Sequence, residues 1–425
     1  MLKNILSAFC AACALAASAD VVDPHGVVVD HGTLYGPGVI PSCHATTVVE
    51  LPGGDVLAAY FAGTYEGHPD VCVYMSRRRA GHTTWDLPQL LVSGIRTEWT
   101  ESAFTYDEPA VDANPDDVSD FVKNTRKRKA CYNPVLYHAP GGDLVLDYKL
   151  GAFVQDWTGW EVRSTDGGYT WTHPRALQTD RALHQVQLGP IKNKPVLVDC
   201  PTAEGGQRIV AGSSTETGGD WKFHFELSDD GGHSWRIVYP EKDTLQCIQP
   251  SILTLPAPRA RLEETLAPAR TGGADDSVAK RNSTSVVTTP PDRGAGGVVL
   301  KAIGRTRHGR LAQSFSHDGG ETWSEVTLSD MPNNNRGIDA LTLRDGRHVL
   351  VYNDSNVEGR RTPLSVAISD DGEHWTKLLD LETDDLGEYS YPSVIQASDG
   401  RLWVLYTWRR LLPAYAIIDI EKVKP

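Results

Sequence analysis

Six polar residues stand at similar places along the chain, each at the start of an apolar segment typical of a β-strand. They are His44, Asn133, Lys194, Gln249, Asp339 and Tyr391. A proline follows four of them, and a proline suits a strand start because no ladder hydrogen bond is lost there. If the six strands converge on one axis, these side chains form a ring at one end of the molecule. Clefts lined by convergent polar groups are the usual form of a ligand site.

Charged residues close to these strand starts point to an acidic ligand. Arg305 and Arg361 each carry a planar guanidinium, which matches a carboxylate through two parallel hydrogen bonds. Asp70 and Glu66 lie in one short segment, and a carboxyl group in a closed cleft can serve as a general acid because burial raises its pKa. Two further residues near the same end are candidates for ligand contact, namely Lys149 and Asn353.

Two repeats describe the elements that must position these residues. The first is a hairpin of two apolar strands around a Gly or Asp turn, and it occurs six times. The second, which we call the corner phrase, places Ser, Asp, Gly and Trp at fixed offsets, and its Asp and Gly residues favour a tight turn. Its copies are Ser164–Trp171, Ser228–Trp235 and Ser316–Trp323, with a shortened copy at Ser369–Trp375 and a weak one at Ser76–Trp85.

Repeats of short strands and Gly-rich turns, spaced by several tens of residues, are typical of β-propellers. We therefore predict an all-β fold, a six-bladed β-propeller built from four-stranded antiparallel blades. In each blade the corner phrase joins the third strand to the fourth. This arrangement sets the corner phrases on one face of the propeller and the ring of polar strand starts on the other.

The chain divides into a short leader and one domain. Residues 1–19 combine Lys3, an apolar stretch and a small-residue site ending at Ala19, which predicts a secretory signal peptide. Residues 20–425 form the propeller, with an insertion over 93–130 on the ring face and a disordered loop over 257–297 on the far face. We expect a periplasmic or secreted protein without a membrane span.

Composition excludes several function classes. The formal net charge of −14 argues against a nucleic-acid-binding protein, which needs a basic face. Five cysteines remain after the leader, and their odd number and irregular spacing predict neither a disulfide framework nor a zinc site; whether any of them pair stays open. We expect no metal, no cofactor and a monomer.

Together the corner phrases, the six hairpins and the strand starts resemble the sialidase superfamily, and more narrowly its BNR-repeat branch. The resemblance covers Pro37 to Trp408. It implies that Tyr391 is the nucleophile and that Arg305 and Arg361 are the second and third arginines that hold the substrate carboxylate. It further implies that Asp70 is the acid/base, with Glu66 as the competing candidate.

Two positions depart from the sialidase pattern. The first carboxylate-binding arginine is replaced by His44, in Cys43-His44-Ala45, and the glutamate that polarises the tyrosine is replaced by Gln249. An amide cannot accept the phenol proton, although a neighbour such as Glu388 could. His44 could act as a base, or bind a carboxylate when protonated, because imidazole changes charge near neutral pH.

Three functions are consistent with these residues. The first is an exo-glycosidase that hydrolyses a terminal sialic acid or another acidic sugar. The second is a polysaccharide lyase in which His44 or Tyr391 removes the proton beside a uronate carboxylate neutralised by Arg305 and Arg361. The third is a propeller that binds acidic carbohydrate without catalysis. The sequence leaves the sugar and the linkage open.

Overall fold

The structure is a computed structural model that describes residues 21–94, 129–154, 157–177, 188–216, 219–256 and 298–423. The predicted signal peptide over 1–19, most of the insertion over 93–130 and the loop over 257–297 lie outside the described residues. In the described ranges the chain contains no helix long and apolar enough to cross a membrane.

The described residues form 24 strands and no α-helix. The strands make six four-stranded antiparallel sheets, arranged as the blades of a propeller, which confirms the predicted fold. In chain order the first strand is β1 (Val28–Thr33), and blade one then contains β2 (Ser42–Glu50), β3 (Val56–Gly63), β4 (Cys72–Arg78) and β5 (Gln89–Val92). Blade two contains β6 (Ala130–His138), β7 (Leu144–Gly151), β8 (Thr158–Ser164) and β9 (Arg175–Ala176).

The remaining blades follow the same order. Blade three contains β10 (Val196–Asp199), β11 (Gln207–Thr215), β12 (Lys222–Ser228) and β13 (Arg236–Val238). Blade four contains β14 (Cys247–Leu255), β15 (Val299–Thr306), β16 (Arg310–Ser316) and β17 (Thr327–Pro332). Blade five contains β18 (Asp339–Thr342), β19 (His348–Asn353), β20 (Leu364–Ser369) and β21 (Thr376–Glu382), and blade six contains β22 (Tyr389–Gln396), β23 (Leu402–Trp408) and β24 (Leu412–Ile418).

Blade six takes its fourth strand from the other end of the chain. β1 pairs antiparallel with β24, with His31 opposite Ala416 and Thr33 opposite Ala414. The hairpin pattern predicts the first two strands of this blade but not the origin of its outer one. Pairing the first strand with the last covers an open sheet edge and joins the two ends of the propeller.

The four clearer copies of the corner phrase, at Ser164, Ser228, Ser316 and Ser369, are hydrogen-bonded turns between the third and fourth strands, as predicted. In the blade two copy the Ser164 hydroxyl donates to Asp166 at 2.8 Å and accepts from the Gly168 amide at 2.7 Å. Asp166 also accepts from the Thr170 hydroxyl at 2.6 Å. These bonds, led by that from the Thr170 hydroxyl, lower the pKa of Asp166. The aspartate is therefore fixed in the turn as an ionised acceptor.

The corner phrases also join neighbouring blades. A buried cationic side chain of each of blades one to four donates to a glycine carbonyl in the next blade's corner phrase. The pairs are Arg77 with Gly167 at 2.6 Å, Arg163 with Gly231 at 2.9 Å, Arg208 with Gly319 at 3.4 Å and Lys301 with Gly372 at 2.7 Å. The repeat thus encodes the contact between blades as well as the turn within each blade.

Apolar side chains fill the space between adjacent blades. Phe225 of blade three stacks on Trp323 of blade four, with ring centroids 3.5 Å apart and planes 8° from parallel. No disulfide joins the cysteines in the described part of the chain, and all five except Cys200 are buried. The core is therefore held by packing and by the bonds between blades.

Candidate functional site

Four of the strand starts share one backbone distortion. β2, β6, β14 and β22 each contain a bulge near the start, and the bulged residues with positive φ are Ala45 (51°), Asn133 (43°), Gln249 (56°) and Tyr391 (51°). Such bulges re-aim a side chain and often lie next to active sites. His44 precedes the shared position, so in blade one the residue equivalent to Tyr391 is Ala45. The predicted ring is offset by one residue there because a bulge has no signature in the side-chain pattern.

Strand pairing places the ends of the second strands beside these starts. Cys43 pairs with Ala62 and Ile248 pairs with Arg305, so the loop after β3 and the end of β15 open on the same face as His44 and Gln249. The predicted arginines and carboxylates therefore lie on the ring face, as the hairpin pattern requires.

Tyr391 lies among cationic and aromatic side chains. Its hydroxyl accepts a hydrogen bond from Nη1 of Arg305 at 2.9 Å. Its ring packs against the imidazole of His44, with centroids 4.2 Å apart, and the Lys192 ammonium lies 6.0 Å from the ring centroid. The hydrogen-bond partner of the phenol oxygen is thus a guanidinium donor.

Arg361 belongs to an ion-pair network that runs from blade five through blade six to blade one. Its Nη1 lies 2.8 Å from Oε1 of Glu388 and donates to the Ser390 hydroxyl at 2.9 Å. Glu388 also pairs with Nε of Arg410 at 2.5 Å, and Arg410 in turn contacts Glu66. Burial, and then the nearby Arg410, lower the pKa of Arg361 to about 10. Two arginines thus share one carboxylate.

Arg410 is a site residue that the sequence reasoning missed. Its carbonyl accepts hydrogen bonds from the Ser42 hydroxyl at 2.9 Å and the Cys43 amide at 3.0 Å, which fixes it beside the strand that carries His44. Blade six therefore supplies a guanidinium next to the position where blade one lacks one. The sequence feature that could have indicated this residue is a pair of arginines between Trp408 and Leu411, in the turn that joins the last two apolar strands.

His44 is almost fully buried. Its Nδ1 lies 3.1 Å from the Thr407 hydroxyl, and its ring also meets Phe61 edge to face, with centroids 5.6 Å apart. Burial first, and then the nearby Arg410, lower the pKa of His44 well below its ordinary value. The neutral imidazole is the favoured form at neutral pH. A neutral imidazole suits a base better than it suits the binding of a carboxylate.

Gln249 has a carboxylate partner that the sequence reasoning missed. Its Nε2 donates to Oε1 of Glu216 at 3.0 Å, and the Ser214 hydroxyl donates to the same oxygen at 3.1 Å. Burial raises the pKa of Glu216, opposed by the nearby Arg305. Gln249 is only 2% exposed, yet its Oε1 has no hydrogen-bond partner among the described residues. Glu216 follows β11 immediately and has no counterpart in the hairpin pattern.

The two candidate acids on the loop between β3 and β4 lie in different surroundings. Asp70 accepts from the Thr64 hydroxyl at 2.5 Å and lies 2.8 Å from Nδ1 of His68. Burial raises its pKa, but the bonds from Thr64 and His68 outweigh burial and lower it. Asp70 lines a cavity of about 370 Å³ together with Ile40 and other residues, none of them an arginine. Glu66 instead contacts Arg410 in the network above.

Two residues predicted to contact the ligand hydrogen-bond the backbone instead. Lys149 is fully buried, and its ammonium donates to the carbonyls of Leu188 and, at 2.7 Å, of Gly189. Asn353 is 1% exposed and donates to the carbonyls of Pro363 at 3.1 Å and Tyr389 at 3.0 Å. Neither side chain can reach a ligand in this conformation, since each hydrogen-bonds backbone from within the protein.

Lys194 and Asp339 meet near the axis of the propeller. Their side chains pair at 2.7 Å, and Asp339 also accepts from the Ser251 hydroxyl at 2.9 Å and the Val394 amide at 2.8 Å. Asp339 therefore ties blades three, four, five and six together. Both residues lie in the predicted ring, but their contacts hold neighbouring blades together.

Lys192 lies below Tyr391 and was also missed by the sequence reasoning. Its ammonium donates to the carbonyls of Ile338 and Pro392, both at 2.5 Å, and to the side chain of Asn193 at 2.8 Å. Burial lowers its pKa to about 7, opposed by Asp339. Three acceptors match the three protons of an ammonium. Lys192 thus supports the base of the site through three hydrogen bonds.

The remaining member of the ring, Asn133, makes no side-chain hydrogen bond with a described residue. Its neighbour Tyr132 packs against Phe61 and Trp157, with centroids 5.6 Å and 4.8 Å away. These rings form an apolar wall that continues from His44. No group of three or more His, Cys, Asp or Glu residues in the described ranges is arranged to hold a metal ion.

Comparisons with known proteins agree with this architecture. A family model described as a BNR repeat-like domain matches residues 54–285 and 270–404. A search of curated proteins gives no match. Three solved structures share the fold at low identity: a protein of unknown function from Dyadobacter fermentans, the intramolecular trans-sialidase from Ruminococcus gnavus and the NanB sialidase from Streptococcus pneumoniae.

For the Dyadobacter protein the TM-score is 0.60 at 16% identity, covering 92% of this chain and 98% of the other. For the Ruminococcus enzyme the TM-score is 0.61 at 14% identity, and the match covers 94% of this chain and 100% of the other. For the Streptococcus enzyme the TM-score is 0.56 at 12% identity, and the match covers 92% of this chain and 70% of the other. Identities this low establish the fold alone. Because the family model spans more than half of the chain, the protein belongs to the BNR repeat-like domain family and is a sialidase-like BNR-repeat protein.

Proposed function

We propose that the protein is an exo-glycosidase that hydrolyses a terminal sialic acid or another acidic sugar, with Tyr391 as nucleophile. The observation that carries this proposal is the Tyr391 hydroxyl bonded to Arg305 at 2.9 Å in a cluster of cationic side chains. Guanidinium groups select an anionic sugar over a neutral one. A phenol suits a reacting carbon that already bears a carboxylate, because a neutral nucleophile is repelled less than a carboxylate would be.

In the first step the Tyr391 oxygen bonds to the anomeric carbon and the glycosidic C–O bond breaks. The phenol proton passes to a base, for which the neutral His44 and the Glu388 carboxylate are the candidates, and the Arg305 hydrogen bond stabilises the phenolate as it forms. The departing oxygen takes a proton from a carboxylic acid. In the second step water attacks the anomeric carbon and gives its proton to the carboxylate that acted as the acid. The tyrosyl–sugar bond breaks, and the base returns its proton to the Tyr391 oxygen, which restores the phenol.

The acid comes from the loop between β3 and β4. Asp70 is the residue that the sialidase resemblance indicates, but the described residues that line its cavity include no arginine. Glu66 lies in contact with the arginine network, on the side of the site that holds Arg361 and Arg410. We therefore prefer Glu66 as the acid and retain Asp70 as the alternative.

The test is a screen of the purified protein on sialylated and uronate-bearing glycans, with released sugars identified by mass. Tyr391→Phe should abolish release while leaving affinity for the sugar nearly unchanged, because only the nucleophilic oxygen is lost. Tyr169→Phe is the matched control, since Tyr169 is exposed in a corner phrase on the opposite face. If the wild type binds these glycans but releases no product, the protein is a carbohydrate-binding propeller.

One observation favours a second candidate, a lyase acting on uronate-containing glycans. His44 is held neutral against the ring of Tyr391, and Gln249 occupies the position where the resemblance implies a glutamate. In a lyase, a base removes the proton beside the carboxylate, a carbon–carbon double bond forms and the glycosidic oxygen departs with a proton. The product is unsaturated, so a rise in ultraviolet absorbance distinguishes the lyase from a hydrolase.

A further inference from the structure

A third arginine stands beside Tyr391 and has no place in the sialidase resemblance described above. Arg336 follows three asparagines in the loop that leads into β18. Its neighbour Gly337 packs so closely on the site that a Cβ there would lie 3.5 Å from the Tyr391 ring and 3.3 Å from the Lys192 side chain. The loop therefore brings Arg336 to the edge of the Tyr391 pocket.

The asparagines fix this loop to neighbouring segments. The Asn333 amide donates to the Gly309 carbonyl at 3.0 Å, and its side chain donates to the Arg336 carbonyl at 3.1 Å. Asn335 adopts a left-handed backbone with φ of 61°, and its carbonyl accepts from Nη1 of Arg336 at 2.8 Å. The Arg336 backbone and part of its guanidinium are thus held in place without a ligand.

Arg336 and Arg305 are both short of acceptors. Neither lies within ion-pair distance of a described carboxylate, and Nε of each is buried without a hydrogen-bond partner in the described part of the chain. Arg305 is only 8% exposed. Burial, and then the nearby Arg305, lower the pKa of Arg336, as expected for two poorly solvated cations that repel each other.

Arg361 and Arg410 are in the opposite condition. Both contact the carboxylate of Glu388, and Arg410 contacts Glu66 as well. A ligand carboxylate at either arginine would lie close to the Glu388 carboxylate and be repelled by it. No carboxylate of a described residue pairs with Arg305 or Arg336.

We infer that the carboxylate of an acidic sugar binds between Arg305 and Arg336, with Arg336 as a specificity-determining residue, while Arg361 stays paired with Glu388. The inference rests on the proposed function only in that the ligand is an acidic sugar bound at Tyr391. Whether the bound sugar then reacts is a separate question.

The test is a calorimetric titration of the full chain with N-acetylneuraminic acid, galacturonic acid and glucuronic acid, with galactose as the neutral comparison. The variants are Arg336→Met, Arg336→Lys and Arg361→Met. Arg310→Met is the matched control, because Arg310 is an exposed arginine paired with Asp330 at 3.5 Å. A circular-dichroism melt of each variant confirms that it is folded.

We expect Arg336→Met to lower the affinity for the acid that binds the wild type by at least about tenfold, since two charge-assisted hydrogen bonds are lost. The affinity of Arg336→Lys should lie between those of the wild type and Arg336→Met, because lysine keeps the charge but not the planar guanidinium. Arg361→Met should change affinity less than threefold and Arg310→Met should change nothing. The inference is overturned if affinity is retained in Arg336→Met but lost in Arg361→Met. It is also overturned if the wild type binds none of the three acids at millimolar concentration.

These titrations use free monosaccharides, which the proposed hydrolase would release and would not cleave. A protein that binds sugar acids through Arg336 but releases no product from any glycan supports this inference and rejects the proposed hydrolysis. Product release that survives unchanged in Arg336→Met rejects the inference and leaves the hydrolysis intact.

Discussion

Nε2 of Gln249 donates to Oε1 of Glu216 at 3.0 Å, so a carboxylate from the neighbouring blade lies in direct contact with position 249, where the sialidase resemblance implies a glutamate. The amide and the acid together occupy the space near Arg305, whose charge favours the ionised form of Glu216 against the effect of burial. The pair offers a direct way to ask where the site needs its carboxylate.

We predict that Gln249→Glu alone destabilises the protein by about 1 to 3 kcal/mol at pH 7, because two carboxylates would meet where an amide now donates. The double variant Gln249→Glu, Glu216→Gln should recover most of this loss, since it exchanges the acid and the amide. Urea denaturation measures both. The loss in the single variant should shrink as the pH falls, because one carboxyl becomes protonated, and a loss that is equal at pH 5 and pH 8 would contradict the electrostatic explanation.

The same exchange bears on catalysis. If Tyr391 needs a carboxylate at position 249, the double variant should release product faster than the wild type on the same glycan. If Arg305 alone activates the phenol, the rate should stay within a few-fold of the wild type. Mass measurement of released sugar decides between the two.

Some of this site follows from local sequence and some does not. The strand starts at Asn133, Gln249 and Tyr391 are predictable because a polar residue before a proline and an apolar strand is a local pattern. The offset at His44 is not, because the bulge is a property of the backbone. A pattern of strands also cannot show that the ammonium of Lys149 turns inward to the carbonyl of Gly189.

The missed residues share a different cause. They lie in loops or turns, and they enter the site only because the six blades close around one axis. The pairing of β1 with β24 is nonlocal in the same way. The residues concerned are Lys192, Glu216, Arg336 and Arg410. Repeats predict which face a loop lies on, but not which side chain of a loop crosses to a neighbouring blade.

We predict different effects on turnover for substitutions of the two candidate acids. We expect Glu66→Gln to lower turnover by about 10² or more on a natural glycan, and much less on a substrate whose leaving group needs no proton. Asp70→Asn should change turnover little and cost about 1 kcal/mol of stability, because the bonds from Thr64 and His68 are to the ionised carboxylate. Comparing nitrophenyl and natural glycosides for both variants measures this.

The stability effect at Asp70 has a definite pH dependence. Its folded pKa lies below the ordinary value of 3.8, so its contribution is present above that pH and declines as the pH falls through the folded value. The difference between the wild type and Asp70→Asn should therefore shrink in acid. A large loss of turnover in Asp70→Asn on natural glycans, spared on nitrophenyl substrates, would instead make Asp70 the acid.

The turn that carries Arg410 sets stability against function. Arg409 and Arg410 have φ of 53° and 59°, and this two-residue hairpin turn favours Asn and Gly. Arg410→Gly removes a left-handed arginine, a gain of about 1 kcal/mol that offsets the loss of partly exposed ion pairs. We expect unchanged or slightly higher stability together with slower product release, because Arg410 positions Glu388 and Glu66.

Arg409→Gly is the matched variant, because it relieves the same backbone strain while Arg409 pairs with Asp384 outside the network of Glu388. It should gain stability and keep the rate of product release. Thermal unfolding and the mass of released sugar are measured on both proteins. Equal rates of release in the two variants would show that Arg410 does not contribute to the site.

His44 gives a stability signal in mild acid. Its folded pKa lies well below the unfolded value near 6.5, so below pH 6.5 the unfolded chain binds a proton that the folded chain does not. Stability from this residue is therefore complete above pH 6.5 and falls as the pH drops, by up to about 1.4 kcal/mol per pH unit. His44→Gln should flatten the dependence of unfolding free energy on pH between 6.5 and 5.

His374→Gln is the control of opposite sign, because the hydrogen bond to Asp371 raises the pKa of His374, an exposed residue. Stability from His374 is present in acid and declines as the pH rises through its folded pKa, so its removal should leave the acid-side fall in place. An NMR titration of the imidazole protons checks the cause directly. If His44 titrates near pH 6.5 in the folded protein, burial and Arg410 do not lower its pKa, and the fall of stability in mild acid does not come from His44.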